Sequence, residues 1–294
     1  MARQIVDAHH HLWDLDHGYA YPWLQDKADG EGMLGDLRPI AHTYLPATYI
    51  ADTAGYDVVK SVHIEAVPLD ALAETRWLSA IDGTIPTAIV ARTELNASGA
   101  EATIAAHAEH GKVRGIRQIV NWHANSRYTF TPADLLDDAR WLEGYALLGK
   151  YGLSFDMQLY PGQMRAAADL ARRFPKIPII VNHTGMPIDR DAAGLELWHH
   201  GIRGLAALDN VAIKISGLGM VAHHWTVDLI RPFVLGSIEA FGTERAMFGS
   251  NFPVDRLYSP FRTLYGAFEQ IVADFSADEQ DKLFRASAEH WYRL

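Results

Sequence analysis

The chain has 294 residues with 49% hydrophobic and 21% charged side chains, an ordinary globular composition that excludes disorder as its main description. Its formal charge of −10, from 36 acidic against 26 basic residues, opposes a nucleic-acid partner, and no apolar run reaches the roughly 18 residues of a membrane-spanning helix. Cysteine is absent, so disulfides, thiolate nucleophiles and zinc ribbons are excluded, and any metal must be held by nitrogen and oxygen, for which the 15 histidines are the obvious supply.

Asp7 and the histidines that follow it interrupt the apolar stretch a secretory signal needs, so the expected location is cytoplasmic, away from membranes. Short Val- and Ile-rich runs predict eight strands over residues 5–12, 58–66, 85–95, 113–122, 153–161, 177–187, 211–219 and 245–254. Helical stretches separate them at 69–81, 100–110, 132–151, 162–174, 195–208 and 227–241. A tail over 276–294 reads as one or two further helices, with Ser276 as N-cap. This rhythm predicts an α/β fold, a (β/α)8 TIM barrel spanning residues 1–294 as one domain, with chemistry at the strand C-termini. Residues 13–57 are too long for a βα connection. This insertion, carrying Tyr19, Tyr21, Trp23, Tyr44 and Tyr49, is expected to cover the barrel mouth, either as a substrate lid or as a loop packed for its own sake.

The first strand ends in Asp7-Ala8-His9-His10-His11. Strand alternation puts His9 and His11 on one face with Asp7 and turns His10 away, so two imidazoles can reach one ion or water from a rigid segment. The second strand offers His63 and Glu65 on one face, and the sixth ends in Asn182-His183-Thr184-Gly185. The eighth presents Asn251 at the rim, followed by Asp255; Asn251 can orient a water but cannot act as an anionic base.

Read end to end, from V-D-A-H-H-H-L-W through V-R-G-I-R, V-N-H-T-G and K-I-S-G-L to F-G-S-N-F-P-V-D, the chain resembles the metal-dependent hydrolase branch of the amidohydrolase superfamily that holds sugar-acid and dicarboxylate lactonases. The resemblance implies that His9 and His11 are the first-strand ligand pair and that His183 matches the histidine of the H-x-G-x-P segment. It also marks departures. Many relatives carry Asp in S-D-W-P on the eighth strand, where this chain has Asn251; the fourth strand offers Arg117 and Gln118 in place of a bridging Lys or Glu, and the fifth offers Gln158 in place of His. A binuclear centre is therefore not expected. The expectation is one divalent ion, zinc, on His9, His11 and His183, with catalysis without metal as the competing reading.

Around that centre the candidate catalytic residues are His9, His11, His183, Asn251 and Asp255, and the candidate substrate-binding residues are Arg117, Lys214, Trp122, His123, Gln158 and Tyr160. Arg117 or Lys214 can hold a carboxylate or steady an oxyanion, although Lys214 can equally pair with Asp156 inside the barrel. Arg127 and Arg256 lie in loops and are read as solvated. Gly217-Leu218-Gly219-Met220-Val221-Ala222 matches a dinucleotide fingerprint, but it follows the seventh strand and does not open a βαβ unit. No phosphate loop and no G-x-S-x-G elbow is present.

The function expected is hydrolysis of a small polar lactone, from a sugar acid or a carboxylated aromatic breakdown product. The alternatives are a decarboxylase or lactone isomerase on the same scaffold, and a sugar-acid binding protein without turnover. The partner is a small molecule, and homo-oligomerisation stays open.

Overall fold

The computed structural model describes residues 2–26 and 32–294. Eight strands, β1 (Gln4–His10), β2 (Asp57–Ile64), β3 (Ala88–Arg92), β4 (Val113–Arg117), β5 (Ser154–Met157), β6 (Ile179–Val181), β7 (Val211–Ile215) and β8 (Ala246–Phe248), lie in chain order in one sheet. Each pairs parallel with the next. The eight runs expected from the sequence all hold a strand, but every strand stops short of the expected C-terminal end. The remaining residues leave the ladder and build the mouth.

The two ends of the sheet meet just beyond β8. Asn251 N donates to His9 O at 2.7 Å and His11 N to Phe252 O at 2.7 Å, so the backbone that nearly closes the barrel belongs to the residues expected to do chemistry.

Helices α1 (Pro22–Gln25) and α2 (Pro46–Asp52) lie in the insertion, each with proline in its first turn. Then come α3 (Ala71–Ala80), α4 (Ala100–Ala108), α5 (Ala139–Tyr151), α6 (Met164–Arg173), α7 (Ala192–Ala206) and α8 (Val227–Phe241), one between each pair of strands from β2 onward. Their starts are written locally. Asp70, Asp138, Asp191 and Thr226 each accept a first-turn backbone N–H of α3, α5, α7 and α8. After β8 runs α9 (Phe261–Ile271), a helix outside those expected from the pattern. Its buried Phe261, Leu264, Tyr265, Phe268 and Ile271 have helical spacing, but aromatic residues of modest helix propensity mask the signal. The tail forms α10 (Ala277–Asp281), a π-type turn at Lys282–Ala286 and α11 (Ser287–Tyr292), and Ser276 caps α10 with Glu279 as its reciprocal partner.

Two apolar layers result. A large core packs helices on the outside of the sheet, and a smaller cluster of Val6, Ala8, Val62, Ile64, Ala88, Val90, Ile180, Ala212 and Met247 fills the barrel, joined by Ala288 and Tyr292 of α11. The tail thereby plugs the barrel from below. Among the described residues no helix is long and apolar enough to cross a membrane.

Candidate active site

A bulge in β1 shapes the site. The step from Asp7 to His10 spans three residues where its partner on β2, Ser61 to His63, spans two, so β1 carries one residue too many. Simple alternation, which groups Asp7 with His9 and His11, fails at this point. Asp7 instead accepts from Tyr49 Oη at 2.7 Å and Ser250 Oγ at 2.6 Å, and His10 stacks on the same Tyr49 with ring centroids 4.4 Å apart. Asp7 ties β1 to α2 and to the end of β8.

His9 and His11 stay on one side, and the bulge turns Asp7 away from them. Their Nε2 atoms are 3.3 Å apart, and Asn251 Oδ1 lies 3.2 Å from His11 Nε2. His183, in the turn after β6, has its ring centroid 4.5 Å from that of His9. It sits at φ 56° in the left-handed region, where few residues with a side chain rest. Gly217, itself at φ 62°, passes so close that a Cβ there would collide with His183 Nδ1, and a Cβ on Gly219 would collide with Asp255 Oδ1. The glycines of the accidental dinucleotide pattern thus make room for an imidazole and a carboxylate.

The hydrogen bonds leave two acceptors facing each other, His11 Nε2 and Asn251 Oδ1. His11 Nδ1–H donates to Ile64 O at 2.8 Å, so its Nε2 carries the lone pair. Asn251 Nδ2 donates to Asp255 Oδ2 at 2.6 Å, which turns Oδ1 towards His11, and Gly219 N holds the other Asp255 oxygen at 3.0 Å. Among the described residues His9 Nδ1 is buried without a partner, so its Nε2, 3.3 Å from His11 Nε2, can donate to that lone pair or accept. Burial pushes the pKa of His9, His11 and His183 well below the usual imidazole range, reinforced by the charge of Lys214 at His9 and of Arg117 at the other two. The three rings are neutral at neutral pH, the form that holds a metal or accepts a proton.

Two nitrogens on one tetrahedral zinc at about 2.05 Å are roughly 3.3 Å apart, which is the observed His9–His11 spacing. The His11 Nδ1 bond to a backbone carbonyl is the orienting contact a ligating imidazole needs. These donors fit a divalent ion on His9, His11 and Asn251 Oδ1. The expected set of three imidazoles is not formed: among the described residues no three His, Cys, Asp or Glu side chains make a metal cage.

Above this floor opens a cavity of about 440 Å3 lined by His11, His183, Asn251, Arg117 and Gln158. Arg117 is held there by Glu65, with Nε 2.6 Å from Oε1, and it donates to Gln158 Oε1 at 3.1 Å. His9 and Asp255 are buried behind the lining. Burial raises Asp255 to about 7, against the opposing hydrogen bonds from Asn251 and Gly219.

Four expected substrate contacts lie elsewhere. Lys214 takes its alternative partner, Asp156 at 2.6 Å, and is buried in the barrel below the cavity because both side chains point inward from β7 and β5. Trp122, His123 and Tyr160 line a separate groove of about 260 Å3. The chain turns away after β4, where Asn121 O accepts Phe130 N at 3.0 Å, and Tyr160 Oη is tied to Tyr128 O at 2.6 Å. Arg256 pairs with Asp52 at 3.4 Å, and Arg127 is exposed. The sequence reading missed the apolar walls, Met33 and Leu34 from the insertion with Phe130, Met186 and Met220, and also Arg92 at the rim. Arg92 is the last residue of β3 and was open to the strand-end rule; the walls lie in connections with no periodic signal.

An eight-stranded parallel barrel with neutral imidazoles at the C-terminal ends of its strands is the architecture of metal-assisted hydrolases. Residues 6–294 match the Amidohydrolase family, and the chain belongs to it and is an enzyme of that superfamily. It is 39% identical to the uncharacterized protein y4mH of Sinorhizobium fredii, over 99% of this chain and 98% of that one. It is 29% identical to an L-fucono-1,5-lactonase of Burkholderia ambifaria, over 98% of this chain and 95% of the relative. A crystal structure of an amidohydrolase from Burkholderia multivorans with bound zinc superposes with a TM-score of 0.82 at 25% identity, over 99% of both chains.

Proposed function

We propose that the protein hydrolyses a lactone, with residues 1–294 acting as one catalytic domain. The observation that carries this reading is the facing pair of acceptors, His11 Nε2 and Asn251 Oδ1, with His9 Nε2 3.3 Å from His11 Nε2 behind them, in a cavity that also presents Arg117. Two acceptors facing each other suit a water molecule or a cation beside them, and water beside a guanidinium suits attack on a carbonyl. The likeness to an L-fucono-1,5-lactonase supports a lactone as substrate.

In this mechanism the lactone carbonyl lies against Arg117, whose N–H groups outside the Glu65 and Gln158 bonds steady the tetrahedral oxyanion. His9, His11 and Asn251 hold the attacking water. His183, with Nδ1 on Ser216, presents Nε2 as proton acceptor; its depressed basicity suits handing the proton on to the departing ring oxygen. Asp255 is a positioning residue that fixes the Asn251 amide. A divalent ion on His9, His11 and Asn251 would supply Lewis acidity and lower the pKa of water, and zinc in a relative supports that ligand chemistry.

The test is a pH-indicator screen of aldonolactones and carboxylated lactones, each with and without a chelator. Acid release on ring opening is the expected outcome. Silence across the panel in metal-loaded protein would overturn the reading.

A further inference from the structure

We infer that the lactone taken by this site carries a substantial apolar substituent, so that a polyhydroxylated sugar lactone is the poorer fit. The inference rests on the proposed lactonase reading and concerns the walls of the same cavity. The floor is polar, but above it Trp23, Met33 and Leu34 from the insertion face Phe130, Met186 and Met220 from the connections after β4, β6 and β7. Six large apolar side chains from four separate segments enclose one space.

Three polar groups among these walls are already committed, those of Gln118, Thr131 and Trp23. Gln118 Oε1 accepts Leu95 N and Trp141 Nε1, both at 2.9 Å, and its Nε2 donates to Glu94 at 2.5 Å. Thr131 Oγ1 donates to Ala133 O at 2.8 Å, and Trp23 Nε1 to Ala66 O at 2.7 Å, so the indole presents hydrocarbon to the cavity. Arg92 donates to Glu94 at 2.5 Å and, with Arg117, keeps further N–H groups for an anionic end of the ligand. A sugar ring entering here would leave water-bonded hydroxyls against methionine and phenylalanine, each an unpaired polar group. An alkyl or aryl substituent removes apolar surface from water on both sides. Five methionine and aromatic side chains, adaptable or flat, suit a flexible or planar hydrocarbon.

The experiment compares two pairs of ligands on the protein as isolated, with its metal content recorded. The first pair is a set of tetrahydropyran-2-carboxylates, one bearing an alkyl or phenyl substituent and one bearing hydroxyls, which cannot be ring-opened; titration calorimetry reads their Kd. The apolar member is expected to bind at least about tenfold tighter, and Phe130→Ser to shrink that ratio several-fold with circular dichroism unchanged. Met186→Gln repeats the test should the first variant fold poorly. Equal or tighter binding of the hydroxylated member overturns the inference. The second pair is the corresponding lactones, whose turnover separates the two claims: a Kd preference without ring opening of either lactone sinks the lactonase reading and keeps the apolar site.

Discussion

Two groups of buried polar side chains lie within the barrel, and they are assembled on opposite terms. In the lower group Lys214 Nζ, Asn182 Nδ2 and Tyr292 Oη all donate to one oxygen, Asp156 Oδ1, at 2.6, 3.0 and 2.7 Å. The Lys214 ammonium also lies 4.9 Å from the Tyr292 ring centroid, so the tail of the chain is stitched to β5 and β7 from inside. In the upper group His11 Nε2 and Asn251 Oδ1 turn lone pairs towards each other at 3.2 Å, with their N–H groups directed to Ile64 O and Asp255 Oδ2. A folded protein does not gain from such an arrangement alone, since unmatched buried acceptors cost free energy. In the lower group three donors meet one charged oxygen, although Asp156 Oδ2 and Asn182 Oδ1 are buried without a partner among the described residues; in the upper group acceptor faces acceptor beside a cavity, where a ligand can reach them.

The sharpest way to break this contrast is Lys214→Met. It leaves Asp156 buried without its cation, and removing one member of a buried pair costs about 3–5 kcal/mol. A denaturant midpoint lowered to match is the expected result, and an unchanged midpoint would mean that the lower group does not bind the tail. His9→Ala acts on the upper group. It should reduce turnover by at least about a hundredfold, roughly 2.7 kcal/mol in the barrier, with a smaller loss of stability than Lys214→Met. Near wild-type rates would take His9 out of the mechanism.

Asn251→Asp sharpens the comparison from the other side. Two neutral imidazoles and an amide oxygen bring no charge to a cation, and the substitution adds one ligand of −1 at the same place. Zinc should bind at least about tenfold more tightly, read by equilibrium dialysis with elemental analysis and independent of activity. Unchanged affinity would remove Asn251 from the proposed ligand set.

Much of the frame was legible in the sequence because it is written in short-range patterns. Val- and Ile-rich runs mark all eight strands, and Ser276 announces a helix start by side-chain capping. The convergence of His9, His11, His183 and Asn251 followed from the rule that barrel chemistry sits at strand ends. What escaped depends on distance in space. The bulge between Asp7 and His10 has no local signature, so parity gave Asp7 the wrong companions. Whether Lys214 faces the cavity or Asp156 turns on depth along β7, and the path of residues 121–134 away from the mouth turns on loop geometry that alternation does not reach.

A third buried site tests whether the contrast extends beyond the barrel interior. Glu74 of α3 is buried against the outside of β2, 3.9 Å from His63 Nε2, and accepts Ala66 N at 3.2 Å. This contact has the look of an ion pair, but burial raises Glu74 to about 8 and lowers His63 to about 3, so near pH 6 both groups are neutral. The sign of the linkage follows. In the unfolded chain the carboxyl titrates near 4.5 and in the folded protein near 8, so the folded state holds the extra proton between these values. Its contribution to stability is complete below the unfolded pKa and is lost as pH rises through the folded one. Glu74→Gln keeps an uncharged acceptor for Ala66 N and removes the titration. The wild type should therefore lose stability relative to Glu74→Gln between about pH 5 and about pH 8.5 in urea unfolding, while pH effects common to both proteins cancel in the difference. A difference that moves the opposite way would show Glu74 ionised and paired with His63, placing this site with Lys214 and Asp156 among the groups whose charges are matched.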